Sequence, residues 1–547
     1  MTRNSSAPDL ILLDGHIRTM DAQRPRAQAM AVKSGRIMAV GDNDEISALA
    51  DSKSERVNLD GRLGIPGMMD SHFHFYDWAI GRQQLDLARV KSLDELLNQV
   101  AQAAEKLPRE NWILGQGWNE SDWPEHTMPR RDHLDAMAPT HPVALWRCDL
   151  HLVSVNSRAL ELAGIDETTP DPSDGVIEKD SSGRPTGILR ELAPNLVKSV
   201  IPAPSADELV AAMRDGIAHL HTLGLTGLHD ARLMGGLEGA PALKAWQLLN
   251  EKGELDLRCW VSLAGERIEE AIALGLRSGL GDERLRIGHL KYFADGGMGA
   301  RTAWMLEPYL DAEYGMPLGS MAELSRNIAA AEKAGLAVMV HAIGDRANRE
   351  VITTLEGLAK LRNQTKERFF VPPVLPHRIE HTQMIRSEDI QRLAKLKVAA
   401  CVQPHNMILD INMIDESVGP RGRWTYAYKE MIDAGIPVLL SSDAPVCDPS
   451  PLVGIHAAVT RQRRDGTPAG GWYPEQRISV EDAVQGYTTV PAAFYGQSRE
   501  MGTLTPGKRA DMIILDRDIF QVDPMEIADT RVEITIFDGR IVHRSRS

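Results

Sequence analysis

No stretch of the 547-residue chain approaches 18 consecutive apolar residues, so no membrane span is predicted. The opening MTRNSSAPD is polar and lacks the apolar run of a secretory leader, which gives a cytoplasmic location as the expectation. Cysteine is scarce. Cys148, Cys259, Cys401 and Cys447 lie far apart and form no Cys-x-x-Cys pair, which excludes a disulfide scaffold and predicts buried, reduced thiols. Positive charge is in deficit. A net charge of −15 leaves no basic face for nucleic acid and none for anionic lipid. What is present is ordinary globular composition, 43% hydrophobic and 25% charged, so a sizeable core is expected. The length allows more than one domain or one large domain with insertions.

The two ends of the chain look alike. LILLDGHIRTM (10–20), AMAVKSGRIMAVG (29–41) and VEITIFDGRIVHR (532–544) are β-rich runs broken by Asp14-Gly15, Ser34-Gly35 and Asp538-Gly539. Such pairs are hairpin signals, because tight turns need positive φ and glycine supplies it without strain. ADMIILD adds a further strand after the turn-rich GTLTPGKR. These patterns predict one β-sandwich assembled from residues 1–63 and 501–547. That in turn requires the middle, 64–500, to be a closed domain with its ends together.

Within the middle, short β-rich runs alternate with helical patterns, the signature of a parallel α/β sheet. Strands are predicted at 64–72, 225–230, 258–263, 286–295, 335–342, 377–382, 397–404 and 435–445. Eight is the number that closes a TIM (β/α)8 barrel. The count requires residues from about 78 to 205 to be an insertion after the first barrel strand. That stretch holds Trp78, Trp112, Trp118, Trp123 and Trp146, five of the ten tryptophans. Trp118 is accordingly a candidate pocket wall for substrate; the alternative is that these rings form the core of the insertion.

Chemistry in a TIM barrel sits at the C-terminal ends of the strands. Strand one ends in His72-Phe73-His74, and alternation puts both imidazoles on one face. Strand four carries Lys291, strand five ends in His341, strand six in His381 and strand eight in Asp443. Neutral imidazoles and a carboxylate are the ligands that suit zinc and similar ions. A lone histidine would be weak; this set, in order at five strand ends, is specific.

The motifs GIPGMMDSHFHF, LTGLHDA, KYFADGGMGARTA, VHAIGDRAN, RIEHTQ, LLSSDAP and GTLTPGKRADMIILD make the chain resemble the amidohydrolase superfamily over nearly its whole length. GQGWNESDWPE, RCDLHLVSVNSRAL and GILRE fit the branch that includes N-substituted formamide deformylases. The resemblance implies two divalent metal ions, zinc by default, one on His72, His74 and Asp443 and the other on His341 and His381. It also implies a CO2-derived carboxylate on Lys291 bridging them. A buried lysine beside cations has a lowered pKa, so its neutral amine can capture CO2; the alternative is a salt bridge from Lys291 to Asp295 or another acid.

On this reading a metal-bridging hydroxide attacks a small-molecule N-acyl or N-formyl amine, and Asp443 moves the proton to the leaving amine. Arg147, His151, His229 and Arg301 are candidate oxyanion or substrate contacts, with His229 preferred for the oxyanion. Arg301 alternatively pairs with a nearby acid. The resemblance is also compatible with a homodimer. The rival enzymatic reading is a mononuclear deaminase, which needs a glutamate near the site; Glu380 is the candidate, and strand alternation points it away from His381. Hydrolysis of an ester, carbamate or cyclic amide stays open, as does a scaffold that has lost its metals.

Overall fold

The computed structural model describes residues 7–148, 152–172, 175–191, 193–231, 239–364 and 373–545. It falls into two compact units, Tyr76–Gly216 and the remainder of the chain.

The larger unit is built on a parallel eight-stranded TIM-barrel sheet. In spatial and chain order its strands are Met68–Phe73, Leu225–Asp230, Arg258–Ala264, Leu285–Phe293, Val338–Ala342, Arg378–His381, Ala399–Val402 and Val438–Leu440. Barrel strands two to eight pair in register with their neighbours. Strand eight returns to strand one through single bonds just past its end. Asp443 N–H donates to His72 O at 2.9 Å, and His74 N–H to Ala444 O at 2.8 Å. Helices Gly239–Glu251, Met321–Lys333, Asp345–Gln364 and Pro404–Val418 are among the connections. Met321–Lys333 shows how the sequence delimits them: the Ser320 side chain caps its start, and Gly335 at φ +79° follows its end.

Both termini do form one β-sandwich. One sheet runs Arg36–Gly41, Ala29–Lys33, Leu10–Leu13, Glu55–Asn58; the other runs Arg540–Arg544, Val532–Phe537, Met512–Leu515, Leu63–Pro66, His16–Arg18, Arg26–Ala27. Leu12, Met30 and Val57 from the first sheet share a core with Ile17, Met512, Ile514 and Ile536 from the second. Two details differ from expectation. Ser34-Gly35 and Asp538-Gly539 are hairpin turns with both residues at positive φ, but Asp14-Gly15 is not: there the chain crosses from one sheet to the other. The predicted strand 64–72 is also two strands. Leu63–Pro66 pairs with Met512–Leu515 in the sandwich, whereas Met68–Phe73 enters the barrel. The break falls at Gly67, where a Cβ would lie 2.3 Å from Thr226 Oγ1.

The unit Tyr76–Gly216 is the insertion, with its own six-stranded mixed sheet. The runs at 112–118 and 142–155 belong to that sheet as Ile113–Trp118, Val143–Arg147 and Leu152–Val155.

Candidate metal centre

The strand-end residues converge as the order of the strands predicts. His72 and His74 flank Phe73, and their Nε2 atoms lie 3.4 and 3.1 Å from Asp443 Oδ1. The His381 ring is centred 5.2 Å from His72 and 4.5 Å from His341. Lys291 Nζ stands 3.4 Å from His72 Nε2. All six residues are buried or nearly so.

Each imidazole is oriented by an acceptor outside the cluster. His72 Nδ1 donates to Glu380 Oε2, His74 Nδ1 to Ala231 O at 2.8 Å, His341 Nε2 to Gly296 O at 3.2 Å, and His381 Nδ1 to Gln403 Oε1 at 2.9 Å. One nitrogen per ring is thereby held as a donor and the other stays a lone-pair donor to a cation. Burial keeps the rings neutral: the pKa values of His72 and His341 fall well below 6.5, and that of His381 is lowered, in each case first by desolvation. Asp443 moves the other way. Burial opposes its charge, and any proton carried by His72, His74 or His381 pulls the carboxyl below its usual range. Neutral imidazoles and an ionised carboxylate are the state a divalent ion requires. His72, His74 and Asp443 offer atoms all within 4.8 Å of one another. The donor set therefore fits a divalent metal by its own geometry.

Two of these residues carry backbone strain. His381 sits at φ +66° and Asp443 at φ +62°, the left-handed region that costs a non-glycine residue about 1–2 kcal/mol. At His381 this has a visible effect. It breaks the strand alternation, so Glu380 and His381 both face His72. The expectation that Glu380 points away is thus corrected. Its carboxylate is committed to His72 Nδ1 and to an ion pair with buried Arg378, 2.6 Å from Nε.

Burial brings Lys291 down to about 8, although Glu380 and Asp443 pull it up. Asp295 is spoken for by three backbone N–H groups: Ile343 at 3.0 Å, and Gly344 and Trp304 at 2.8 Å each.

Residues 55–543 match Amidohydro_3, described as the amidohydrolase family. The chain belongs to the amidohydrolase family. A putative amidohydrolase, YtcJ of Bacillus subtilis, is 31% identical over 97% of this chain and 98% of its own. An N-substituted formamide deformylase of Arthrobacter pascens is 28% identical, covering 97% of both chains. Among solved structures, an uncharacterised metal-dependent hydrolase of Pyrococcus horikoshii superposes with a TM-score of 0.78 at 28% identity, over 94% of this chain and 99% of that one. The protein is accordingly a metal-dependent hydrolase acting on C–N bonds.

The remaining candidates of this amidohydrolase lie in other settings. His229 contacts Tyr495 Oη through Nδ1 at 2.9 Å and is centred 5.1 Å from His289. His289 precedes Lys291 by two residues on the same strand, so His229 sits a layer deeper in the barrel than the cluster. Arg301 makes a forked pair with Asp311, Nε to Oδ1 at 2.9 Å and Nη2 to Oδ2 at 2.8 Å. Trp118 is fully buried in the insertion and donates to Leu145 O at 2.9 Å. Arg147 bonds Glu120 and Asn119, both at 2.8 Å and both within the insertion. His151 lies outside the described residues.

Sequence reasoning passed over Gln403 and Asp70. Gln403 follows the seventh strand, and the strand-end rule points to it. Asp70 is two residues before His72. It accepts from His72 N–H at 3.1 Å and from Ser442 N–H at 3.1 Å, which pins the segment before Asp443 to strand one.

Proposed function

We propose that this amidohydrolase cleaves the C–N bond of an N-acyl or N-formyl amine of small size. His72, His74 and Asp443 would hold one divalent ion and His341 and His381 a second. Lys291, as a carbamate formed from its neutral amine and CO2 with loss of a proton, would contribute oxygen ligands to both. Bound there, such ions would polarise the substrate carbonyl and acidify a water.

The protein's own part is proton transfer and orientation. Asp443, an ionised carboxylate at the cluster, takes the water's proton and delivers it to the departing amine nitrogen. Glu380, Ala231, Gly296 and Gln403 fix the four rings so that little reorganisation accompanies binding. The observation that carries this reading is the shared approach of His72 and His74 to one oxygen of a buried, ionised Asp443. The commitment of Glu380 to Arg378 and His72 weighs against its serving as the acid/base group that the deaminase reading needs. Support for an amide-like bond comes from the similarity to the formamide deformylase.

A screen of N-formyl and N-acyl amines with metal-loaded enzyme tests the proposal. Hydrolysis that is lost in Asp443→Ala and in Lys291→Ala supports it. Full activity in Asp443→Ala contradicts the role of that carboxylate.

A further inference from the structure

We propose that Asp410 is a specificity-determining residue, whose carboxylate receives a protonated amine carried by the substrate away from the bond that is cut. This rests on the reading above that the reaction centre lies at the C-terminal ends of the barrel strands. Asp410 is on helix Pro404–Val418, which starts immediately after strand seven. Around it gather residues that follow other strand ends. Gln383, two residues beyond His381, donates to Asp410 Oδ2 at 3.1 Å, and Tyr426 Oη donates to the same oxygen at 2.6 Å. Met298, in the segment after the Lys291 strand, touches the Gln383 amide through its sulfur at 3.4 Å.

Asn406 lies one turn before Asp410 on the same helix face. It accepts from the Cys447 thiol, four residues past Asp443. That bond links the segment after Asp443 to the helix that carries Asp410. Asp410 is thus joined, directly through Gln383 and along its helix through Asn406, to the segments that follow His381 and Asp443 at the strand ends.

Both neighbours use one oxygen. Among the described residues, Oδ1 accepts no hydrogen bond, and Asp410 has no cationic partner. Holding the Tyr426 segment does not account for the charge. Backbone and arginine bonds already fix it: Tyr426 N–H to Gln383 O at 2.7 Å, Ile385 N–H to Trp424 O at 3.0 Å, and Arg461 Nη1 to Tyr426 O at 3.0 Å. A half-buried carboxylate with an uncommitted oxygen favours a charged donor, the stronger kind of hydrogen bond.

The test compares N-acetylputrescine with N-pentylacetamide, which match in length and differ in a terminal ammonium against a methyl. Their dissociation constants are measured by calorimetry on the metal-loaded wild type and on Asp410→Asn, which keeps an acceptor for Tyr426 and Gln383. Where either compound is turned over, KM and kcat are measured instead. The wild type should prefer the ammonium compound by about tenfold or more, and Asp410→Asn should lose that preference with the melting temperature and metal content kept. A wild type with no preference, binding of neither compound, or a preference that survives in Asp410→Asn each overturns the proposal. Whether either compound is hydrolysed bears on the proposed reaction alone, and the affinity ratio bears on Asp410 alone.

Discussion

Asp443 is the carboxylate of the strand-end cluster. It faces two imidazoles through one oxygen, adopts a left-handed backbone, and is anchored through its own N–H to His72 O. Removing its carboxylate by Asp443→Ala should lower kcat by about 10²–10⁴-fold if proton transfer is its contribution, and by more if metal is lost as well. Rates measured beside metal content separate those effects. Glu380 is a positioning residue, acting through His72. Glu380→Gln should weaken metal affinity by about 10–100-fold, read by competition with a chelator. A variant that binds metal as tightly as the wild type would show that the His72–Glu380 contact is incidental.

At the scale of elements, the barrel was legible because each strand is a short β-rich run ending in a chemically distinctive residue. All eight predicted runs overlap a barrel strand, within one residue of its ends where they fall short. What was not legible depends on pairing partners. GIPGMMDSH reads as one strand, yet its first half pairs with Met512–Leu515 far along the chain and its second half with the barrel. Gly67 marks the break only because Thr226 crowds it. Gly67→Ala should cost about 1–3 kcal/mol through that clash, seen as a lower denaturant midpoint; an unchanged midpoint would mean the junction has slack. The direction of Glu380 was lost for a related reason. Alternation holds along a regular strand, and His381 departs from it in the folded chain. The same site was otherwise readable: His-x-His spacing needs only period-two geometry, whereas the acceptors behind the rings are backbone carbonyls or residues on other strands.

For the whole molecule, several contacts tie the sandwich to the barrel, and two stand out. One is the shared run from Leu63–Pro66 into Met68–Phe73. The other is Arg258, at the start of barrel strand three, which forks onto Asp511 at 2.6 and 3.0 Å and also pairs with Asp538. Arg258→Ala would leave buried Asp511 without its cation, whereas Asp538 keeps Arg284 at 2.8 Å; the expected loss is about 3–5 kcal/mol.

Buried histidines at and beneath the centre also make the metal-free protein sensitive to acid. His72, His229 and His341 have folded-state pKa values well below the unfolded 6.5, and His289 is down to about 3, all first through burial. Between those values and 6.5 the unfolded chain binds more protons. Stability is therefore fully present above about 6.5 and falls as pH drops, by about 1.4 kcal/mol per pH unit for each such group. Melting temperatures of metal-free protein should decline steeply from pH 6 toward 4, and a flat profile would contradict the neutral, buried state of these rings.

The strand-end cluster is read as the divalent-metal site at which the enzyme hydrolyses C–N bonds. The most direct measurement is metal content per chain, taken on zinc-reconstituted protein as wild type, His341→Ala and Asp443→Ala, with hydrolysis of N-formyl and N-acyl amines followed on the same samples. The account predicts two ions and activity in the wild type, with both reduced in each variant. A wild type that takes up no metal after reconstitution, or variants that match it in metal and in rate, would contradict it.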